Sequence, residues 1–397
     1  MPKRVGFLYE QLVDKDFLKA CVKETLKKKK KKRRDVKKVV KDIDGTVDHM
    51  YRIFADYDYT PTQPKIKVIY DKCSKKEREL AIQPFSHDGV IIAAITEVLK
   101  PVIMRGMHFW SCSSVKGRGA KRMLKYNVRV AQQKARNSKY VAELDIKKYY
   151  PSVPLKNVIA ALERKIKDKK FLLLIAVAAS SYPQGLKYAM EHNLSPYDVV
   201  GDKVGLHIGM ILSQWLGNYY LEALDRYILT LDGVYYESRN MDNIIIAGRN
   251  KRKLHRAVDA ISAYMSELLG VTLKSDWQVF KVYQDKHYTE KGKEKVKRSR
   301  RIATVGYRIS RDRITICKKN FLRLIRQCRR AMKKLRQGLS IPVKMAQGII
   351  SRIGQLKHCT DSYHAYTKYV YPIGIGKLKK IISNDAKRRN ALLKGVA

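Results

Sequence analysis

Two short apolar segments constrain this chain more than anything else in it. Tyr140-Val-Ala-Glu-Leu-Asp145 and Asn240-Met-Asp242-Asn243-Ile-Ile-Ile each put an aspartate at the end or tip of a β-branched run. The two aspartates are far apart in sequence, so only the fold can bring them to one site. A strand ending in Asp145 beside a hairpin tipped by Asp242 joins two carboxylates, the ligands that magnesium takes alongside substrate phosphates. Two such ions activate a hydroxyl and stabilise a leaving pyrophosphate in an in-line displacement. Either segment alone reads equally as an ordinary strand end, and the rest of the chain has to decide.

Charge selects the partner class. The chain carries 84 Lys plus Arg against 36 Asp plus Glu, a formal net charge of +48, which calls for a polyanion. Its 25 tyrosines suit stacking on bases. An anionic membrane surface is the competing partner, but no apolar run approaches spanning length and no signal peptide opens the chain. A soluble intracellular protein is expected. At 397 residues and 45% apolar, two or three domains with a substantial core are expected. Cys21, Cys73, Cys112, Cys317, Cys328 and Cys359 form no C-x-x-C pair and no zinc spacing, and read as reduced thiols. The histidines are scattered, and His207 or His255 reads as a packing or surface group.

Along the chain, residues 1–60 show helical apolar spacing interrupted by a basic run from Lys27 to Arg34, read either as a turn that touches nucleic acid or as a solvated loop. Strands are expected at Ile66–Tyr70 and Arg78–Ile82 with a polar turn between them. Such a basic hairpin folds over a triphosphate, with Lys72 and Arg78 as contacts, or is simply solvated. Val90–Leu99 reads as a core helix. Ser113–Gly119, with Lys116 and Arg118, is a glycine-rich basic loop, a weak phosphate signal that a plain turn would equally give. Pro151 is expected to end the extended segment after Tyr149-Tyr150. Residues 155–204 read as helices. Gly205-Leu-His-Ile208-Gly209-Met-Ile-Leu-Ser213-Gln214 is a glycine loop entering a helix, where backbone can approach a nucleotide closely.

Taken in order, the basic hairpin, the aspartate with its tyrosine pair, the glycine loop and the Met-Asp hairpin resemble the fingers and palm of reverse transcriptases. Leu268–Phe280 is similar to the segment after the catalytic hairpin, and Val305-Gly306-Tyr307-Arg308-Ile309 to the primer-grip turn. The resemblance runs from about residue 5 to residue 370. Ile208-Gly209 with Ser213-Gln214, where most relatives carry Gln-Gly and Ser-Pro, looks like the reverse transcriptases of diversity-generating retroelements. One departure stands out. The usual Tyr-x-Asp-Asp is Asn240-Met241-Asp242-Asn243 here, which loses one negative charge while Asn243 keeps an oxygen ligand.

The resemblance implies an α+β right-hand polymerase fold. Fingers with a basic helical extension would occupy 1–140, a palm with a helical insertion at 155–204 would occupy 141–310, and a basic helical thumb and tail 311–397. Helices are expected over Phe321–Gln337 and from Gly348 to Tyr371, with a frayed tail from Lys377. The implied activity is RNA-directed DNA synthesis from deoxynucleoside triphosphates with Mg²⁺, or Mn²⁺. Asp145, Asp242 and the Ile146 carbonyl would hold metal, with Asn243 in the third position. Lys72, Arg78, Ile146, Tyr150, Ile208, Gly209, Ser213 and Gln214 would form the nucleotide site. Lys116, Arg118, Lys274, Gly306, Arg326 and Arg330 would contact nucleic acid. The retroelement type further implies a repeat template RNA, cDNA with errors at template adenines, a pentameric accessory variability protein, and a cytoplasmic, bacterial or phage-encoded chain. A catalytically silent RNA-binding relative and a retron-like or group II intron-like enzyme are the alternatives.

Overall fold

A computed structural model describes residues 3–29, 33–71, 76–115, 117–132, 137–282, 286–290, 293–297, 300–360 and 362–394. Lys72 and Lys116, expected at the triphosphate and on nucleic acid, lie outside the described residues, as does Cys73.

The chain opens on helices α1 (Lys15–Lys28), α2 (Arg34–Lys41) and α3 (Ile43–Ala55). Asp14 caps α1 by accepting from the amides of Asp16 and Phe17, and Asp42 caps α3 through Gly45. The antiparallel hairpin β1 (Lys65–Asp71) and β2 (Lys76–Ile82) follows in register from Lys65↔Ile82 to Asp71↔Lys76. Next come α4 (Val90–Met104), α5 (Ala120–Ala131) and β3 (Tyr140–Asp145). After the short α6 (Tyr149–Ser152), the stretch read as helical holds α7 (Leu155–Glu163), α8 (Lys169–Ser180), α9 (Gly185–Glu191) and α10 (Pro196–Val200). The glycine loop enters α11 (Ile211–Tyr220), which breaks at Leu221 before α12 (Glu222–Thr230).

A hairpin of β4 (Tyr236–Asn240) and β5 (Asn243–Gly248) leads through α13 (Lys251–Glu267) to β6 (Gln278–Lys281). Strands β7 (Lys286–Glu290) and β8 (Lys293–Lys297) pair with each other, and β9 (Ile302–Thr304), β10 (Tyr307–Ile309) and β11 (Ile314–Ile316) form a small antiparallel sheet. The chain closes with α14 (Lys318–Arg336), α15 (Val343–Leu356), α16 (Tyr363–Ala365) and α17 (Ile375–Lys394).

Two compact units result. The first comprises Met1–Gly119, Leu144–Ile246 and Arg252–Gln278; the second comprises Ala120–Glu143, Ala247–Lys251 and Val279–Ala397. In the first, α4 is buried on nearly every face and packs on α1 and α11, as expected of a helix apolar all round. All ten residues from Phe171 to Ser180 in α8 are buried against neighbours that include α7 and α10. In the second, Leu324 and Cys328 of α14, Ile349 and Ile353 of α15, Val370 and Leu378 form one core.

Three expectations change. The strand ends at Asp145, before Pro151: Lys148 turns left-handed (φ 44°) and α6 begins, and Pro151 fits because the first turn of a helix needs no amide donor there. The helix expected from Gly348 to Tyr371 stops at Leu356. The basic tail is helical through Lys394, because Ile375, Leu378, Ile381 and Ile382 recur at helical spacing and pack on the second unit's core.

Candidate active site

In the four-stranded sheet, of order β4-β5-β3-β6, β3 and β5 are neighbours. Asp145 closes β3, and Asp242 sits in the two-residue turn that joins β4 to β5. That turn requires Met241 at φ 58°, a conformation uncommon outside glycine. The amide of Ile146 donates to the carbonyl of Asp242 at 3.2 Å, which ties the two strand ends together.

The carboxyl groups consequently meet. Burial, then the charge of Asp145, hold Asp242 above the usual carboxylate range. Asp145 Oδ2 accepts from the ammonium of Lys274, whose backbone amide also donates to the Asp145 carbonyl at 2.9 Å. Asp145 Oδ1 is buried with no hydrogen-bond partner. Asn243 Nδ2 donates to Asp242 Oδ1 at 3.2 Å. An unpartnered buried carboxylate oxygen beside a second carboxyl raised by like charge fits a hard divalent cation, which takes oxygen donors. Among the described residues no group of three or more His, Cys, Asp or Glu is placed to hold a metal ion. The carboxylates of the site are Asp145 and Asp242, with Ile146 following the first in sequence and Asn243 the second.

Beside the carboxylates the two tyrosines divide their roles. Tyr149 is buried, and its hydroxyl donates to the Gly217 carbonyl, so it belongs to the core. Tyr150 is half-buried, with its hydroxyl 3.8 Å from Met241 Sδ. Burial first and Asp242 second push the Tyr150 phenol up to about 12. Its carbonyl accepts from Leu206 at 2.8 Å, which fastens the glycine loop to the tyrosine turn.

The loop also grips the basic hairpin. The amide of Ala81 in β2 donates to the Ile208 carbonyl at 2.9 Å. Gly209 lies at φ 111°, and a Cβ there would stand 2.9 Å from the Ala81 carbonyl oxygen, so the close approach needs glycine. Ile208 is half-buried, Ser213 is buried and Gln214 is exposed, while Arg78 is exposed on β2 opposite Ile69.

Sequence reasoning missed a polar network beneath the turn. Arg239 of β4 is fully buried, and its Nε and Nη2 donate to Asp225 Oδ1 and Oδ2 at 2.5 and 2.7 Å. Glu237, on the same strand and also fully buried, pairs with His108 at 2.8 Å. Burial and then Asp225 push Glu237 up to about 7. Burial lowers the His108 pKa, but Glu237 outweighs it and the net shift is upward. The signal available was three charged residues, Glu237, Arg239 and Asp225, next to an apolar strand in a region too hydrophobic to be surface.

The remaining expected contacts divide between the units. Arg118, in the first, donates Nη1 to the carbonyl of His108 at 2.6 Å, an interaction that shapes its loop. In the second, Gly306 (φ 87°) follows Val305 (φ 40°) in the turn between β9 and β10, and its carbonyl accepts from Cys317 at 2.9 Å. Arg326 and Arg330 lie exposed on α14. Among the described residues, no helix is long and apolar enough to cross a membrane.

A family model described as reverse transcriptase (RNA-dependent DNA polymerase) matches residues 72–309, more than half of the chain. An uncharacterized 91 kDa protein in the cob intron of Schizosaccharomyces pombe is 39% identical over 89 residues, 22% of this chain and 10% of that protein. The chain thus spans a small part of that relative. Among solved structures, telomerase from Candida albicans in complex with a TWJ fragment of telomeric RNA is similar at TM-score 0.43 and 10% identity, covering 85% of this chain and 60% of that one. Apo telomerase from Candida tropicalis gives 0.42 and 13%, covering 78% and 60%. With the family match, the mixed helix-and-sheet architecture is the α+β right-hand polymerase fold expected from the sequence.

Proposed function

Because this chain belongs to the reverse transcriptase (RNA-dependent DNA polymerase) family, we propose that it extends a primer 3′-hydroxyl along an RNA template using deoxynucleoside triphosphates. The observation that carries the reading is the joining of Asp145 and Asp242 by the Ile146–Asp242 backbone bond, with Asp145 Oδ1 left for a cation. Asp145, Asp242, the Ile146 carbonyl and Asn243 would hold magnesium, or manganese. When bound, the metal supplies charge neutralisation at the attacking and leaving oxygens.

The chain's own groups do the rest. Asp145 and Asp242 orient the reacting end by their fixed places at a strand end and in a hairpin turn. Tyr150 lies under the sugar and limits a 2′-hydroxyl. The hairpin bearing Lys72 and Arg78 covers the triphosphate, and its seat on Ile208-Gly209 couples that cover to the loop that meets the nascent base pair. Lys116, Arg118, Lys274, Gly306, Arg326 and Arg330 are proposed to hold template and primer, and the net charge of +48 supports this. Fingers over 1–140, palm over 141–310 and thumb over 311–397 remain our proposed division.

Within the family we propose the diversity-generating type, on the strength of Ile208-Gly209 and Ser213-Gln214. The template is then a repeat RNA, the cDNA carries errors opposite adenine, and a pentameric accessory variability protein assists in the cytoplasm of a bacterial or phage-infected cell. Ile208 removes a polar contact from the nucleotide loop, and restoring Gln there should lower the adenine error rate. A second reading, an intron-encoded enzyme of higher fidelity, is favoured by the match to the cob-intron protein.

Primer extension on RNA with Mg²⁺ or Mn²⁺, with Asp242→Ala as control and the products sequenced, tests all of this. Extension lost in Asp242→Ala with errors at adenine supports the mutagenic polymerase. Uniform accuracy favours the intron type. Tight RNA binding without extension, even with native RNA and accessory protein, marks a binding protein.

A further inference from the structure

We infer that Arg239 is the positioning residue for Asp242, acting through the peptide that precedes it; this rests on the polymerase reading above. Every N–H of its buried guanidinium has an acceptor. Nε and Nη2 hold Asp225 with both oxygens, and Nη2 also meets Ser111 Oγ at 3.1 Å and the Asn218 carbonyl at 3.0 Å. Nη1 donates to Asn218 Oδ1 at 2.9 Å and to the carbonyl of Met241 at 3.3 Å. Five of these six acceptor atoms are on α11 and α12 or in the Ser111 segment, which the Cys112–Arg239 and Arg239–Trp110 backbone bonds tie to β4. The guanidinium is thus fixed to the scaffold, and its remaining reach goes to the turn.

What it reaches decides the geometry. The Met241 carbonyl belongs to the peptide entering Asp242, and the Asp242 carbonyl belongs to the peptide leaving it. Arg239 holds the first and the Ile146 amide holds the second. With both flanking peptide planes pinned, φ and ψ of Asp242 are set, and with them the direction of its Cβ toward Asp145. The left-handed backbone at Met241 is the strained element of this turn, and Arg239 supplies the bond that keeps its carbonyl turned inward. Stability alone does not call for such a pair, since a buried arginine–carboxylate pair is often replaceable by apolar groups without loss. A lysine keeps the charge, but one ammonium cannot span Asp225, Asn218 and Met241 as the planar fork does.

The test uses the full chain with Arg239→Lys and reads Mn²⁺ binding by electron paramagnetic resonance, Mg²⁺ dependence of single-turnover extension, primer–template affinity and melting temperature. Ile228→Val, a core truncation in the same helix as Asp225, is the comparator for lost stability. We expect Arg239→Lys to weaken Mn²⁺ binding roughly tenfold and slow extension by about 10²-fold, with primer–template affinity unchanged. Ile228→Val should lower the melting temperature without moving Mn²⁺ binding. Wild-type Mn²⁺ affinity in Arg239→Lys overturns the assignment, as does an equal Mn²⁺ loss in Ile228→Val. If Arg239→Lys does not fold, Asp225→Glu displaces the same guanidinium with both charges kept, and the same readouts decide. A wild-type chain that binds Mn²⁺ yet never extends a primer sinks the polymerase reading instead and leaves the Arg239 comparison intact.

Discussion

Ile146 and Asp242 share one backbone hydrogen bond, 3.2 Å from the amide of the first to the carbonyl of the second, so main chain sets the separation of the two carboxylates. Side chains set their charge. Asn243→Asp should restore a third carboxylate beside Asp242 without disturbing that bond. Adding one negative charge at a cation site is worth a coupling of about 1–3 kcal/mol, or roughly 5–150-fold in metal affinity. Mn²⁺ titration and the half-saturating Mg²⁺ for extension read this directly. Equal affinities in the two proteins would mean that residue 243 points away from the cation.

Lys274 holds Asp145 by both side chain and amide. Its ammonium competes with any cation for Asp145 Oδ2, and both side chains are about one-third exposed, at 29% and 35%. In Lys274→Ala the backbone bond persists while the competitor goes. Metal affinity should rise by several-fold, on the order of one unit charge acting through a partly solvated site. Weaker metal binding in Lys274→Ala would show that the lysine orients Asp145 for the cation.

Gly209→Ala should uncouple the hairpin from the nucleotide loop. The new Cβ meets the Ala81 carbonyl oxygen at 2.9 Å, and φ 111° is unfavourable for any side chain. A cost of about 1–3 kcal/mol is expected, with a raised KM for nucleotide because the hairpin must shift. Gly201→Ala is the contrast, since its Cβ meets nothing within 4 Å. Matching nucleotide KM values in the two variants would separate the hairpin's seat from nucleotide binding.

Much of this site is legible in the sequence because its parts are local. The β-branched runs ending at Asp145 and flanking Asp242 specify strands, and Gly209 marks a close approach whatever it approaches. What the sequence does not carry is the partner across space. Nothing near Arg239 in sequence says that Asp225, Asn218 and Ser111 converge on it, and Lys274 reads as a nucleic-acid contact until the fold sets its ammonium on Asp145. The tail misleads for a related reason. Its basic residues dominate its composition, while Leu378 and its helical neighbours, which pack on the second unit's core, are few.

Glu237 gives the network a pH dependence whose sign is fixed. Burial and then Asp225 push its carboxyl up from 4.5 to about 7, against the opposing pull of His108 and Arg239. The folded chain therefore holds this proton more tightly than the unfolded chain does. Its contribution to stability is complete below about 4.5 and is lost as pH rises through about 7. His108 acts in the same direction, because its net shift is also upward. The groups facing Glu237 are His108, Asp225 and Arg239, and the imidazole of His108 itself titrates near neutrality. Glu237→Gln keeps the shape and removes the titration, so melting temperature should fall less steeply with rising pH across this window than in the wild type. At the alkaline end the variant should be the more stable protein, because glutamine never carries the buried charge that the ionised Glu237 does. Parallel melting curves against pH for the two proteins would place the dependence on another group.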